Sequence, residues 1–476
     1  MNSKHYMSTC NNTNHVVTER HNNTNREAIG GSSAKNDSNI SQRKEEKGHL
    51  GAPKKLYHKH TEEEPLKGAD GLDPMDGKKA WVVALALTIA GIFVSLPTCV
   101  MQDFYLRNQT FTGERVEIQL TFAGMLFRVS ATVFMFVGTT VYPFVGLRVL
   151  LLSGIFLTTI GLITAGFATS IWHLYLSLSI CCGIGLAILC VIALLLLPGW
   201  FSKRLSTAIG VHHAAFRITS IAFPFLMVRV NNTLGVKWTY GILGIIGFVS
   251  TIVTFPFIKE RDPSDRINKL ERVKNKGIVD WNILKNVNML LWIFVGPIQL
   301  IAGYISFIFI PSYATYIGLN DVDGAAIIAI LSSVGLISAV VFGILADKFG
   351  NINIFIISMV IASISIFAIW MFAYSFTTLV LFAIVNGAVN GTYFIVSAPV
   401  TFCIIGADKY PSALGLKMVP FLLALAGPTI ANYLDSSNPH EPFLYVKIVA
   451  GGGFVISALL SLILKFRMEK NPFAKV

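Results

Sequence analysis

The chain has 476 residues, of which 53% are hydrophobic and only 13% charged, and its mean hydropathy is +0.62. That excludes a soluble globular protein of this length, because most of its apolar surface needs lipid as solvent. The net charge of +12 is compatible with nucleic acid or with basic loops against anionic lipid, and only its placement along the chain separates the two.

Residues 1–79 are rich in Asn, Ser, Lys, Glu and His, as in NNTNHVVTERHNNTN and RKEEKGHLGAPKK. No apolar stretch there can build a core, which predicts a disordered tail. It shows neither a signal-peptide apolar region nor a transit pattern, so the first span is expected to direct insertion.

From Trp81 on, apolar segments of about 20 residues, the length needed to cross hydrocarbon, alternate with short polar breaks. The expected spans are 80–101, 118–141, 149–168, 173–198, 207–228 and 238–258, then 288–311, 324–346, 351–373, 377–403, 413–434 and 443–464. The fold class is therefore an all-α membrane protein of 12 transmembrane helices in two six-helix bundles. Its expected parts are the tail 1–79, a first bundle 80–258, a linker 259–287, a second bundle 288–464 and a C-terminal tail 465–476.

The linker carries eight Lys or Arg against five Asp or Glu. With the N-terminus in the cytosol, the cytosolic loops and C-terminal tail hold 18 Lys or Arg, Lys409 and Lys417 among them. The outer loops hold four: Arg107, Arg115, Arg229 and Lys237. This asymmetry places both termini in the cytosol and accounts for the basic charge without nucleic acid. No sorting signal separates plasma membrane from vacuolar membrane. The sequon Asn108-Gln109-Thr110 falls in an outer loop on this topology.

Six cysteines lack CxxC pairing and read as packing residues or idle thiols. No GxxxxGK[ST] loop and no HExxH or HxxxH pattern appears, so no cofactor, metal or catalytic activity is expected.

An offset of 205 pairs Gly138 with Gly343, Arg204 with Lys409 and Gly210 with Gly415. Pro224 and Pro428 follow the last two glycines at nearly equal distance, signalling kinks. Parallel repeats of this kind suggest two bundles rocking about a shared site, with Pro97, Pro297 and Pro311 as further bends.

Three segments resemble the monocarboxylate transporter-like family of the major facilitator superfamily, its fungal branch in particular. Asp76-Gly77-Lys78-Lys79-Ala80-Trp81 resembles that family's signature at span 1, with the two lysines interrupting it. Trp200-Phe201-Ser202-Lys203-Arg204, followed by Ala208 and Gly210, resembles the signature leading into span 5. Gly343 to Gly350, containing Asp347 and Lys348, resembles the superfamily turn in which an acid and a base latch neighbouring helix ends. The counterpart in the first half, Tyr142 to Arg148, lacks the acid. The resemblance implies an alternating-access secondary transporter. In acid-transporting relatives a Lys deep in span 1 and an Asp–Arg pair in span 8 bind the carboxylate and its proton. The matching positions here are Thr98 or Cys99, Gly335 and Ala339, so those charges are missing.

Charges inside a span cost about 2.5–3.5 kcal/mol each on the insertion scale and mark candidate sites. Arg128 lies in span 2 and Arg217 in span 5, with His213 four residues before it on one helical face. These three are candidates to face an aqueous cavity and attract an anion, with His213 as a titratable group. The alternative is pairing with neighbouring backbone, or snorkelling of Arg128. Gln299 in span 7 and Asn386 and Asn390 in span 10 are further solute-binding candidates, or else interhelical hydrogen-bond glue. Asp103, at the outer end of span 1, reads as a solvated cap or a proton-coupling acid. The functional expectation is a symporter or uniporter of a small organic solute such as an organic anion or monocarboxylate-like compound, with a co-transported proton and lipid as its other partners. The competing reading is a non-transporting nutrient sensor on the same fold.

Overall fold

Apolar runs that must satisfy their backbone groups within lipid form helices, and the described residues are helical almost throughout. The computed structural model describes residues 73–91, 98–262, 279–436, 441–471 and 474–475, all within one compact unit, Gly68–Val476. Most of the N-terminal tail, Pro97 and much of the central linker lie outside the described residues, as do the expectations placed on them.

The first span, α1, comprises Lys78–Ala90 and Thr98–Arg107. The helices that follow are α2 Val116–Val145, α3 Leu147–Ala165, α4 Ile171–Trp200, α5 Leu205–Leu234 and α6 Val236–Phe257. After the linker come α7 Val287–Tyr316, α8 Asp321–Phe349, α9 Asn351–Phe372, α10 Phe376–Ile405, α11 Tyr410–Ser436 and α12 Leu444–Met468. Among the described residues, 11 helices are long and apolar enough to cross a membrane, and α1 makes the twelfth span of the two six-helix bundles. Two tight turns, α2 to α3 and α8 to α9, turn on Gly146 (φ 84°) and Gly350 (φ 98°), a left-handed conformation that excludes most side chains.

Both ends of the linker are tied to the same face of the protein. The Trp200 Nε1–H donates to the carbonyl of Lys259 (2.9 Å), and the Tyr142 hydroxyl donates to Glu260 (3.0 Å). At the other end Asp280 forms an ion pair with Lys409 in the α10–α11 turn (3.4 Å). This side is called the linker face below.

The bundles meet along two seams, α5 against α8 and α2 against α11. Small residues let the backbones approach there. A Cβ on Gly210 would stand 2.3 Å from the Ala339 carbonyl oxygen, one on Gly343 2.7 Å from that of Ser206, and one on Gly415 2.4 Å from the Thr139 hydroxyl. The pair Gly210 and Gly415 thus occupies corresponding places in the two seams. Gly138 does not match Gly343, because its open side faces Val191 of α4 at 3.7 Å. These contacts all lie toward the linker face. Ala214, Ala339 and Ile395, from α5, α8 and α10, form a small apolar plug in the first seam.

Pro224 lies inside the continuous helix α5, whereas α11 is interrupted by turns at Val419–Pro420 and Leu425–Ala426 on the way to Pro428. Two expectations need correction. Lys417 is not in a loop: it is fully buried within α11. Cys181, Cys182 and Cys190 are free, but Cys403 is disulfide-bonded, so it is not the idle thiol its spacing suggested.

Candidate solute-binding site

The residues of the first two sequence signatures converge on one junction at the linker face. The Asp76 carboxylate accepts from the backbone N–H of Ser202 (3.3 Å), Lys203 (3.1 Å) and Arg204 (3.0 Å), the three residues immediately before α5. The Asp76 N–H donates to the Trp200 carbonyl (3.0 Å), and the Trp81 and Phe201 rings meet edge to face at 5.1 Å. Gly77, which starts α1, closes the turn between them. From the other bundle, Asp347 at the end of α8 accepts from the backbone of Ser206 (2.9 Å) and Thr207 (2.7 Å) and from the Thr207 hydroxyl (2.6 Å). Two carboxylates, one per bundle, therefore hold the N-terminus of α5, where the helix dipole favours negative charge. Lys348 does not join this latch; its ammonium lies over the Phe349 ring at 5.3 Å.

Deeper in, helical periodicity aims each arginine at a seam. Ser206, Gly210 and Arg217 share one face of α5, and Gly210 touches α8, so Arg217 points across the seam as well. Its guanidinium carbon lies 3.4 Å from where a Cβ would stand on Gly335 of α8, and its Nη2 3.3 Å from the Cβ position of Gly391, at the break in α10. Arg217 belongs to the first bundle but rests against glycines of the second. Arg128 shares a stripe with Thr132 and Phe136 on α2, and Phe136 packs against the second bundle's core. Arg128 is exposed, and its guanidinium lies 6.0 Å from the centroid of the Tyr304 ring on α7. Among the described residues no Asp or Glu forms an ion pair with either arginine. With a rise of about 1.5 Å per residue, Arg217 sits about 18 Å and Arg128 about 26 Å from the linker-face ends of their helices.

The remaining candidates divide. His213 faces α10, its ring 5.6 Å from that of Phe394, on the same side as Arg217. Gln299 is buried and its Nε2 donates to the backbone carbonyl of Asn390 (2.8 Å) and to Asn390 Oδ1 (3.2 Å). Asn390 directly precedes the Gly391 that Arg217 touches. Asn386 turns the other way: its Nδ2 donates to the Ser365 hydroxyl on α9 at 3.5 Å, inside the second bundle. Arg217, His213, Gln299 and Asn390 are thus brought to one central region with Arg128 above it, and Asn386 is not. The side chain of Asp103 lies outside the described set.

Sequence reasoning missed Lys417. Its ammonium donates to the Ser397 carbonyl (3.2 Å), the Ser397 hydroxyl and the Thr401 hydroxyl (3.0 Å), and lies 5.9 Å from the Tyr393 ring centroid. Thr401 also accepts from the Trp292 Nε1–H (3.1 Å). Lys417 lies four residues inside the edge of the expected span 413–434, and that position was the available signal.

Two bundles, parallel in their repeat and touching along glycine-lined seams around a polar centre, define an architecture that a family comparison can test. A model of the Major Facilitator Superfamily matches residues 81–365, more than half of the chain. The chain belongs to that superfamily. Among curated members it is 25% identical to the uncharacterized transporter ESBP6 of Saccharomyces cerevisiae, over 82% of this chain and 60% of that one. It is 24% identical to the probable transporter MCH2 of the same yeast, over 76% of this chain and 77% of that one. With monocarboxylate transporter 4 of Gallus gallus it shares 24% identity over 85% of this chain and 87% of that one. The chain therefore spans less than two thirds of the first relative's length. The fold matches the solved superfamily proton:xylose symporter XylE with a TM-score of 0.64 at 13% identity, covering 82% of this chain and 95% of that one. The resemblance to fungal and monocarboxylate transporter-like superfamily members read from the signatures agrees with these relatives, and the superfamily's architecture is that of a secondary transporter.

Proposed function

We propose that this superfamily member carries a small organic anion by alternating access, with Arg217 as the group that holds the negative charge. One observation supports the reading above others: a mid-membrane guanidinium, seated against Gly335 and Gly391 of the opposite bundle, has no carboxylate partner among the described residues. An unpaired cation at this depth is costly, and an anionic solute offsets that cost when bound. Because Arg217 and its glycine seat belong to different bundles, a solute held there senses their rocking motion. The Asn390 side chain, tied by Gln299, supplies a polar neighbour, and His213 a titratable one.

With both termini in the cytosol, as the loop charges favour, the closed linker face is the cytosolic gate and the site opens outward. A co-transported proton fits this arrangement, and the bilayer in question is the plasma or vacuolar membrane. The test is competitive uptake in a deletion host, with organic anions set against sugars and neutral amino acids at two pH values. Arg217→Ala is expected to lower anion affinity by about one to two orders of magnitude, the scale of a lost charge-assisted contact. Normal affinity in a well-expressed Arg217→Ala variant removes the reading.

A further inference from the structure

Building on the anion reading above, we propose that the solute is a dicarboxylate or equivalent dianion held at both ends, by Arg217 and by Arg128. Charge counting in the centre of the protein leads there. Arg128 is easily taken for a lipid-facing arginine that snorkels, but its stripe-mate Phe136 packs against the second bundle and its own guanidinium reaches Tyr304 on α7. It faces the space between the bundles. It forms no ion pair, and neither does Arg217, so the space holds two cations without an acid to balance them among the described residues.

Continuous contacts join the two arginines. Arg128 lies over Tyr304; the neighbouring Gly303 leaves room for Asn390, whose Oδ1 is 2.5 Å from that glycine's Cβ position; and Gly391, next to Asn390, seats Arg217. The arginine backbones are offset by about 8 Å along the membrane normal, a gap two long side chains can narrow around a short chain with a carboxylate at each end. A monoanion would leave one cation bare, whereas a dianion neutralises the centre, so the bundles can close over it at lower cost. Tyr304 and the Asn390 amide border the middle of such a solute.

The test compares succinate, glutarate and adipate with butyrate, pentanoate and hexanoate as ligands of the purified full chain. Thermal stabilisation reports binding, and uptake of radiolabelled dicarboxylate into proteoliposomes reports transport. The expected result is stronger stabilisation by a dicarboxylate than by the monocarboxylate of equal carbon number. Arg128→Gln is expected to remove that preference, weakening dicarboxylates about tenfold and monocarboxylates by a smaller factor. Arg217→Gln is expected to weaken both series. Equal stabilisation by the two series, no stabilisation by any dicarboxylate, or an Arg128→Gln variant that keeps the preference overturns the proposal. The anion reading fails separately, if Arg217→Gln changes neither series.

Discussion

Gly210 offers the sharpest test of how the two bundles close. A methyl added there meets the Ala339 carbonyl oxygen at 2.3 Å, whereas carbon and a carbonyl oxygen rest at about 3.3–3.6 Å. Backbone cannot swing aside, so α5 and α8 must separate locally by about 1 Å. Overpacking of this kind costs about 1–3 kcal/mol, a shift of about fivefold to more than a hundredfold in the equilibrium between closed and open seam. Gly343→Ala meets the Ser206 carbonyl at 2.7 Å and acts in the same direction. Gly415→Ala meets the Thr139 hydroxyl at 2.4 Å and the Phe136 ring at 3.2 Å, both side-chain atoms that can give way, so its effect is smaller. Gly138→Ala finds Val191 at 3.7 Å, ordinary contact, and serves as the control. The assay places a cysteine at Ala214, in the apolar plug beneath Gly210, and measures its modification by an impermeant thiol reagent applied from the linker face. Gly210→Ala is expected to speed labelling most, then Gly343→Ala, then Gly415→Ala, with Gly138→Ala unchanged. Equal labelling in the Gly210 and Gly138 variants would refute the claim that this seam is the gate.

Lys417→Met is expected to leave folding stability within about 1.5 kcal/mol of the unmodified protein, because an apolar side chain of similar shape replaces a buried cation whose partners are neutral. Lys417→Ala also opens a cavity and is expected to cost about 2–4 kcal/mol; thermal unfolding of the purified variants measures the difference. At the linker, partial burial of Asp280 acts to raise its pKa, but the Asn282 N–H and the Lys409 charge outweigh it and hold the carboxyl below its ordinary value. A carboxyl depressed in the folded state stabilises the fold above its unfolded pKa of about 3.9, and loses that contribution as pH falls through the folded value. Asp280→Asn is therefore expected to lower the unfolding temperature near neutral pH, and the gap between variant and parent to close as the pH drops below about 4. A gap that persists in acid would mean that the ion pair is not its source.

Twelve spans and their grouping about a basic interval were legible because lipid imposes length and hydropathy on every crossing segment. Helical period was legible too: it put His213 and Arg217 on one side of α5. The repeat offset of 205 singled out Gly210 and Gly415, which turned out to line corresponding places in the two seams. Period states which residues share a face, but not which helix that face meets. Asn386 and Asn390 are four apart, yet one bonds to α9 and the other to α7, because α10 packs between those two helices and side chains on one face can lean to either. Lys417 looked like a loop charge until α10 supplied three oxygen atoms around its ammonium. Most of all, sequence alone could mark Gly335 only as the place where a charge is missing. Tertiary structure showed that a guanidinium from the other bundle fills the space a side chain there would occupy. Contacts between elements far apart in the chain depend on packing that no local pattern encodes.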